Sequence, residues 1–171
     1  MVNKLNNTLI KGTDILEKLE IPFFLVGGTL LGIVREQSLL AHDGDVDVAV
    51  LVEDLTDEVV EKIKAVPEFE NISECKEKYG EINFAFERHF DIFPLYKRGK
   101  YRYYNAIGDE CLVWPSHLFD DKRRKVEYMG RKFTIPQPPE QFLKTMYGNW
   151  KGEDKEFNWR QGLNYKLYDK F

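Results

Sequence analysis

The segment Asp45-Val46-Asp47-Val48-Ala49-Val50-Leu51-Val52 restricts the fold more than any other stretch of the chain. It is dense in β-branched residues and too short for an ordinary buried helix, which predicts a central β-strand. Strand side chains alternate between faces, so Asp45 and Asp47 share one face while Val46 and Val48 share the other. Two acids opening a buried strand are costly unless something positive lies between them. A divalent magnesium or manganese ion suits that position, because hard cations take oxygen ligands and a phosphate-bearing substrate supplies the remaining ones.

Two further pieces fit this strand. Phe90-Asp91-Ile92-Phe93-Pro94-Leu95 reads as a second apolar strand interrupted by one acid, and if the two strands are neighbours, Asp91 completes a triad. Upstream, Ile21-Pro22-Phe23-Phe24-Leu25-Val26 reads as a short strand with proline at its entrance, where a missing donor does least harm. Gly27 and Gly28 then turn the backbone, and Thr29 to Glu36 reads as a helix started by Thr29. The glycines let the backbone approach a ligand, and the free amides of a helix start suit phosphate.

Taken singly, each piece has a plainer reading. With 29 acids in the chain, roughly five acid-x-acid triplets arise by chance, and a lone Gly-Gly is more often a tight strand-to-helix turn without ligand. The weight lies in the combination.

That combination carries a resemblance. Val26-Gly27-Gly28-Thr29-Leu30-Leu31-Gly32-Ile33-Val34-Arg35, then His42-Asp43-Gly44-Asp45-Val46-Asp47, then the Asp91 strand, resemble in order the LicD and fukutin-related family of the nucleotidyltransferase superfamily. The tail is similar too: Gly130 to Pro136, Glu140-Gln141-Phe142-Leu143 and Met146-Tyr147-Gly148-Asn149-Trp150. The resemblance implies an α+β, nucleotidyltransferase-like mixed sheet with helices mainly on one face. It also implies a transferase that moves phosphocholine or a polyol phosphate from a CDP-linked donor to a glycan or other hydroxyl acceptor.

Asp45 and Asp47 would then hold Mg2+ or Mn2+, with Asp91 as third ligand or general base. Gly27, Gly28 and Thr29 would cradle a phosphate. Arg35 could reach the donor phosphate with its planar fork or simply complement its own helix terminus. Lys122 and Arg123, in a run of four bases, could hold the donor pyrophosphate or an anionic acceptor, although such runs are usually solvated faces. The chain departs from the family pattern at His42, where an aromatic is usual, and at Gly44, where a middle acid is usual. Two other readings stay open: a nucleotidylyltransferase moving a nucleoside monophosphate onto a small hydroxyl compound, and a non-catalytic nucleotide- or glycan-binding module.

The rest of the chain bounds these readings. At 171 residues, 43% hydrophobic and 14% aromatic, it can bury a real core as a single domain spanning 1–171. A formal charge of −4 argues against a general nucleic-acid binder. The longest apolar stretch, Ile21 to Val34, has 14 residues with three glycines, short of a membrane span. The first residues lack the apolar centre of a secretion signal, and two cysteines, Cys75 and Cys111, without metal-type spacing read as buried thiols, so a cytoplasmic setting is expected.

Leu5, Leu9, Gly12, Ile15, Leu16 and Leu19 share one stripe of an opening helix over 3–19, and Asp57 to Val66 reads as a helix with acids in its first turn. Strand-like runs follow near Phe69 to Cys75, Ile82 to Glu87, Phe90 to Tyr96 and Lys100 to Ile107, with a turn at Lys97 to Lys100. Tyr101, Tyr103 and Tyr104 read as strand packing rather than a ligand wall, His42 as a turn residue or proton shuttle, His117 as structural, and Trp150 and Trp159 as core or ligand shelf.

Overall fold

The computed structural model describes residues 1–120, 124–152, 154 and 157–171. Its centre is the pair of strands that the sequence singled out. The first, β2 (Asp45–Leu51), runs parallel to β5 (His89–Arg98), with Val46 opposite Phe90, Asp47 opposite Asp91 and Val48 opposite Ile92. The short β1 (Phe24–Leu25) pairs antiparallel with β2, while β4 (Ile82–Ala85) pairs antiparallel with β5 and carries β3 (Phe69–Ile72) at its outer edge. The far half of β5 continues into β6 (Tyr101–Asn105), β7 (Glu110–Pro115) and the three-residue β10 (Tyr165–Leu167), all antiparallel. A separate hairpin is formed by β8 (Lys125–Tyr128) and β9 (Arg131–Thr134).

The opening helix α1 (Val2–Lys18) lays its apolar stripe of Leu5, Leu9, Gly12 and Leu16 on the sheet face that carries Val46 and Phe90. Gly12 is required there: a Cβ on it would lie 2.3 Å from a Phe90 ring carbon, so only hydrogen lets helix and ring meet at this distance. Thr56 caps α3 (Asp57–Lys64) by accepting the Val59 amide proton, and the acids of its first turn complement the helix dipole. On the opposite sheet face, Phe142 and Met146 of α4 (Pro139–Tyr147) close over Ala49, Phe93 and Leu95, leaving a small apolar cavity of about 60 Å³.

Several boundaries differ from the sequence reading. The run Ile21 to Val26 yields only a two-residue strand, because Pro22 offers no amide and the segment has just β2 to pair with. Helix α2 (Gly27–Glu36) begins at Gly27 rather than Thr29, with Val26 as its cap residue and Gly27 at φ +56°. The turn after β5 tightens to Gly99 and Lys100, with Gly99 at φ +57°. Tyr103 and Tyr104 are buried packing residues, as the strand reading expected; Tyr104 sits edge-on to Phe93 and donates to Glu81 Oε2 at 2.8 Å. Both cysteines are free thiols, Cys111 buried and Cys75 half-buried. Among the described residues, no helix is long and apolar enough to cross a membrane.

Candidate active site

The parallel register of β2 and β5 sets Asp47 beside Asp91, and alternation places Asp45 on the same face, two residues toward the strand start. One carboxylate oxygen from each of Asp45, Asp47 and Asp91 lies within 4.8 Å of the others. Each member is held. The Gly28 amide donates to Asp47 Oδ2 at 2.9 Å, and the Asp47 amide donates to Thr29 Oγ1, also at 2.9 Å. On the other side, Asn83 of β4 stands opposite Asp91 and donates its side-chain amide to Asp91 Oδ1 at 2.8 Å.

The groups of the glycine turn face the aspartate strand. Thr29 is buried, and its hydroxyl oxygen receives the amide of the aspartate strand, while the Gly28 N–H is directed at an aspartate carboxylate. A Cβ on Gly27 would lie 2.1 Å from Asp47 Oδ2, and one on Gly28 would lie 2.1 Å from Asp43 Oδ2. Both glycines are needed so that two carboxylates can close on the start of α2.

That fourth carboxylate, Asp43, escaped the sequence reading. It precedes β2, accepts the Gly44 amide at 3.1 Å, and completes the spacing Asp43, Asp45, Asp47 that continues the strand's alternation upstream. The signal was present in that spacing, hidden by Gly44 in the middle of the block.

Crowding these acids in a poorly hydrated place shifts their titration. Burial, then the charge of Asp45, raises Asp43 to about 6. Burial raises Asp91 to about 6 as well, with the Asn83 hydrogen bond opposing and Glu81 and Asp45 assisting. Asp47 is pushed well above the ordinary carboxylate range by burial first, then by Asp45, Asp43 and Asp91, against the Gly28 hydrogen bond. It borders the apolar cavity under α4, which explains the loss of hydration. A cation among these oxygens reverses the balance, and three carboxylate ligands at this spacing can hold a metal ion.

The acids open into a cleft of about 330 Å³, to which Asp43, Asp45 and Asp47 contribute together with Tyr147, Trp150 and Trp159. Arg35 lines it, yet its guanidinium is engaged: one terminal nitrogen donates to the carbonyls of Trp150 at 3.3 Å and Gly152 at 3.1 Å, while Nε and the other terminal nitrogen each donate to Glu36 Oε1. It thereby ties α2 to the chain segment that walls the cleft. His42 and Trp159 lie at the cleft, as does Trp150, whereas His117 meets Gln141 at the exposed surface away from it. Lys122 and Arg123 lie outside the described residues.

Tyr147 is a second residue that sequence reasoning missed as a site member. It ends α4, its ring sits 4.7 Å from that of Phe157, and burial followed by the charges of Asp47, Asp43 and Asp45 holds its hydroxyl well above the ordinary range. It lies within the family-like tail Met146 to Trp150, but nothing in that run singles out its hydroxyl from the neighbouring aromatics.

Comparison with known proteins bears on the fold and the family. Among solved structures, the fold matches the lincomycin-bound lincosamide antibiotic adenylyltransferase LnuA with TM-score 0.54 at 17% identity, covering 80% of this chain and 83% of that one. It also matches the antibiotic-resistance factor ANT(2'')-Ia with TM-score 0.55 at 12% identity, covering 92% and 78%. Among sequence relatives, protein RP689 of Rickettsia prowazekii (strain Madrid E) is 27% identical over 83% of this chain and 53% of its own length. The ribitol-5-phosphate transferase FKTN of Homo sapiens is 22% identical over 85% of this chain and 33% of its own. The chain thus spans about half or less of the length of these relatives. The model of the LicD/FKTN/FKRP nucleotidyltransferase domain matches residues 20–138, a stretch that contains the glycine turn and all four aspartates, and the chain belongs to that family.

Proposed function

We propose that this protein is a metal-dependent transferase that moves a phospho-substituted group, phosphocholine or a polyol phosphate, from a CDP-linked donor to a hydroxyl of a glycan or smaller acceptor. The observation that carries the reading is the convergence of Asp45, Asp47 and Asp91 within 4.8 Å, with Asp45 and Asp47 lining a cleft beside a glycine turn. In it the three aspartates ligate Mg2+ or Mn2+, which when bound neutralises charge on the donor phosphates. Gly27, Gly28 and Thr29 serve the site by aiming Asp47, and Arg35 by fixing the cleft wall through Trp150 and Gly152. An acceptor hydroxyl attacks the donor phosphorus in line, the bond from that phosphorus to the nucleotide phosphate breaks, and the hydroxyl proton passes to a carboxylate of the cluster.

A second reading has its own support: LnuA, whose fold this chain shares, is an adenylyltransferase. Product analysis with labelled nucleotides separates the two. Release of CMP from a CDP-linked donor supports the first reading, and release of pyrophosphate from a nucleoside triphosphate supports the second. If neither is turned over with Mg2+ or Mn2+ present, the protein is a binding module and the catalytic reading falls.

A further inference from the structure

The donors that the glycine turn and Arg35 could offer an anionic substrate in this cleft are largely engaged. The Gly28 amide is given to Asp47, the Thr29 hydroxyl lies buried against the Asp47 amide, and the Arg35 guanidinium is shared between Glu36 and two backbone carbonyls. The cleft also carries the carboxylates of Asp43, Asp45 and Asp47 and the side chains of His42, Asn149 and Trp159. A phosphate drawn to a cation on those carboxylates still presents oxygens that the cation does not reach, and these need neutral hydrogen-bond donors.

Tyr147 answers that description. It stands in the last turn of α4, on the cleft that Asp43, Asp45 and Asp47 open into, and feels the charge of all three. Its ring is braced against Phe157 at 4.7 Å, so the hydroxyl is held rather than free to swing. Among the described residues that hydroxyl has no hydrogen-bond partner. A tyrosine hydroxyl is protonated, and therefore a donor, across the neutral range.

We propose that Tyr147 is a substrate-binding residue whose O–H donates to a non-bridging oxygen of the phosphate held at the aspartate cluster. The assignment rests on the proposed function, since it needs a phosphate at that place. It goes beyond it by naming a group from a distant helix, rather than the glycine turn, as the donor that recognises the anion.

Calorimetric titration of the intact protein with CDP and with inorganic pyrophosphate, each with MgCl2, tests it on wild type, Tyr147→Phe and Asp47→Asn. The phenylalanine keeps the ring against Phe157 and removes only the hydroxyl. It should weaken both phosphate probes about 10-fold or more, the usual effect of losing a hydrogen bond to a charged group. Mg2+ affinity measured alone, and the melting temperature, should stay at wild-type values. Wild-type affinity for both probes in Tyr147→Phe overturns the assignment and leaves the proposed function standing. If wild type itself binds neither probe with Mg2+, both fall together, and Asp47→Asn, which should lose Mg2+ as well as phosphate, marks which level has failed.

Discussion

The two faces of the β2–β5 pair are made by the same backbone in the same register and do opposite things. One face buries Val46, Val48, Phe90 and Ile92 completely under the apolar stripe of α1. The other gathers Asp45, Asp47 and Asp91 into a knot of like charge. The first face contributes stability by removing apolar surface from water, about 1.5–3 kcal/mol for each large side chain. The second opposes folding at neutral pH, because a carboxylate whose titration is raised by burial is charged at a cost; for Asp91, raised to about 6, that cost is on the order of 3 kcal/mol. A fold that tolerates such a site must be over-supported elsewhere, and here the support lies one side-chain length away, on the reverse of the same strands.

The sharpest way to break this comparison is to change the charged face alone. Asp47→Asn keeps an oxygen for the Gly28 amide but removes a ligand and a repelling charge. Turnover should fall by about 10³-fold or more, the scale of losing a metal ligand's several kcal/mol. The melting temperature of the metal-free protein should rise. Retained turnover, or a lower melting temperature, would mean that the two faces are not opposed.

Changing the apolar face should do the reverse. Phe90→Ala should cost about 3–5 kcal/mol in urea unfolding, the usual price of emptying a buried aromatic site, while Mg2+ affinity of the folded fraction stays within about 2-fold. A large change in Mg2+ affinity would show that the faces are coupled through the strand rather than independent.

Acidity offers a smaller, graded test. Asp43 and Asp91 are both raised to about 6 in the folded protein, above their unfolded value near 3.8. Below about pH 3 these groups are protonated in both states and carry no penalty. As pH climbs through 4 to 6, the unfolded chain releases protons that the folded one retains, so this contribution lowers stability and the loss is complete above about 6. Metal-free protein should therefore lose up to a few kcal/mol over that window, and added Mg2+ should stabilise it more at pH 7.5 than at pH 5. Equal Mg2+ stabilisation at both values would detach the ion from these carboxylates.

The smallest expected effect concerns the link between turn and strand. Thr29→Val preserves shape but leaves the buried Asp47 amide without its acceptor, which should cost about 1–3 kcal/mol of stability. If the Thr29 hydroxyl instead met substrate, the variant would lose donor affinity with its melting temperature unchanged.

Much of this arrangement was legible before any coordinates, for a reason that lies in the period of a strand. A two-residue alternation written as Asp-Val-Asp-Val states which side chains share a face without reference to the rest of the chain, and the apolar strand broken by Asp91 needed only to lie beside it. Asp43 obeys the same alternation but sits outside the strand, beyond a glycine, where the period no longer guarantees a direction. Hairpin β8–β9 and helix α4 went unread as elements because their segments are short and their patterns weak, and packing against Phe24, Phe119 and the sheet gives them their place.

From its own residues the chain determined that one strand would be apolar on one side and acidic on the other, and that a glycine turn would precede it, since these follow from chirality, alternation and sterics within a few residues. Only the tertiary structure decided what the turn's donors would do. Parallel pairing of β2 with β5 brought Asp91 to Asp47, the close approach of α2 directed the Gly28 amide at the Asp47 carboxylate and set the Thr29 hydroxyl oxygen to accept from the Asp47 amide, and the return of α4 brought Tyr147 to the cleft of the acids. Those contacts join residues 18 to more than 100 positions apart, and their geometry is fixed by packing and desolvation across the whole core, which no local pattern encodes.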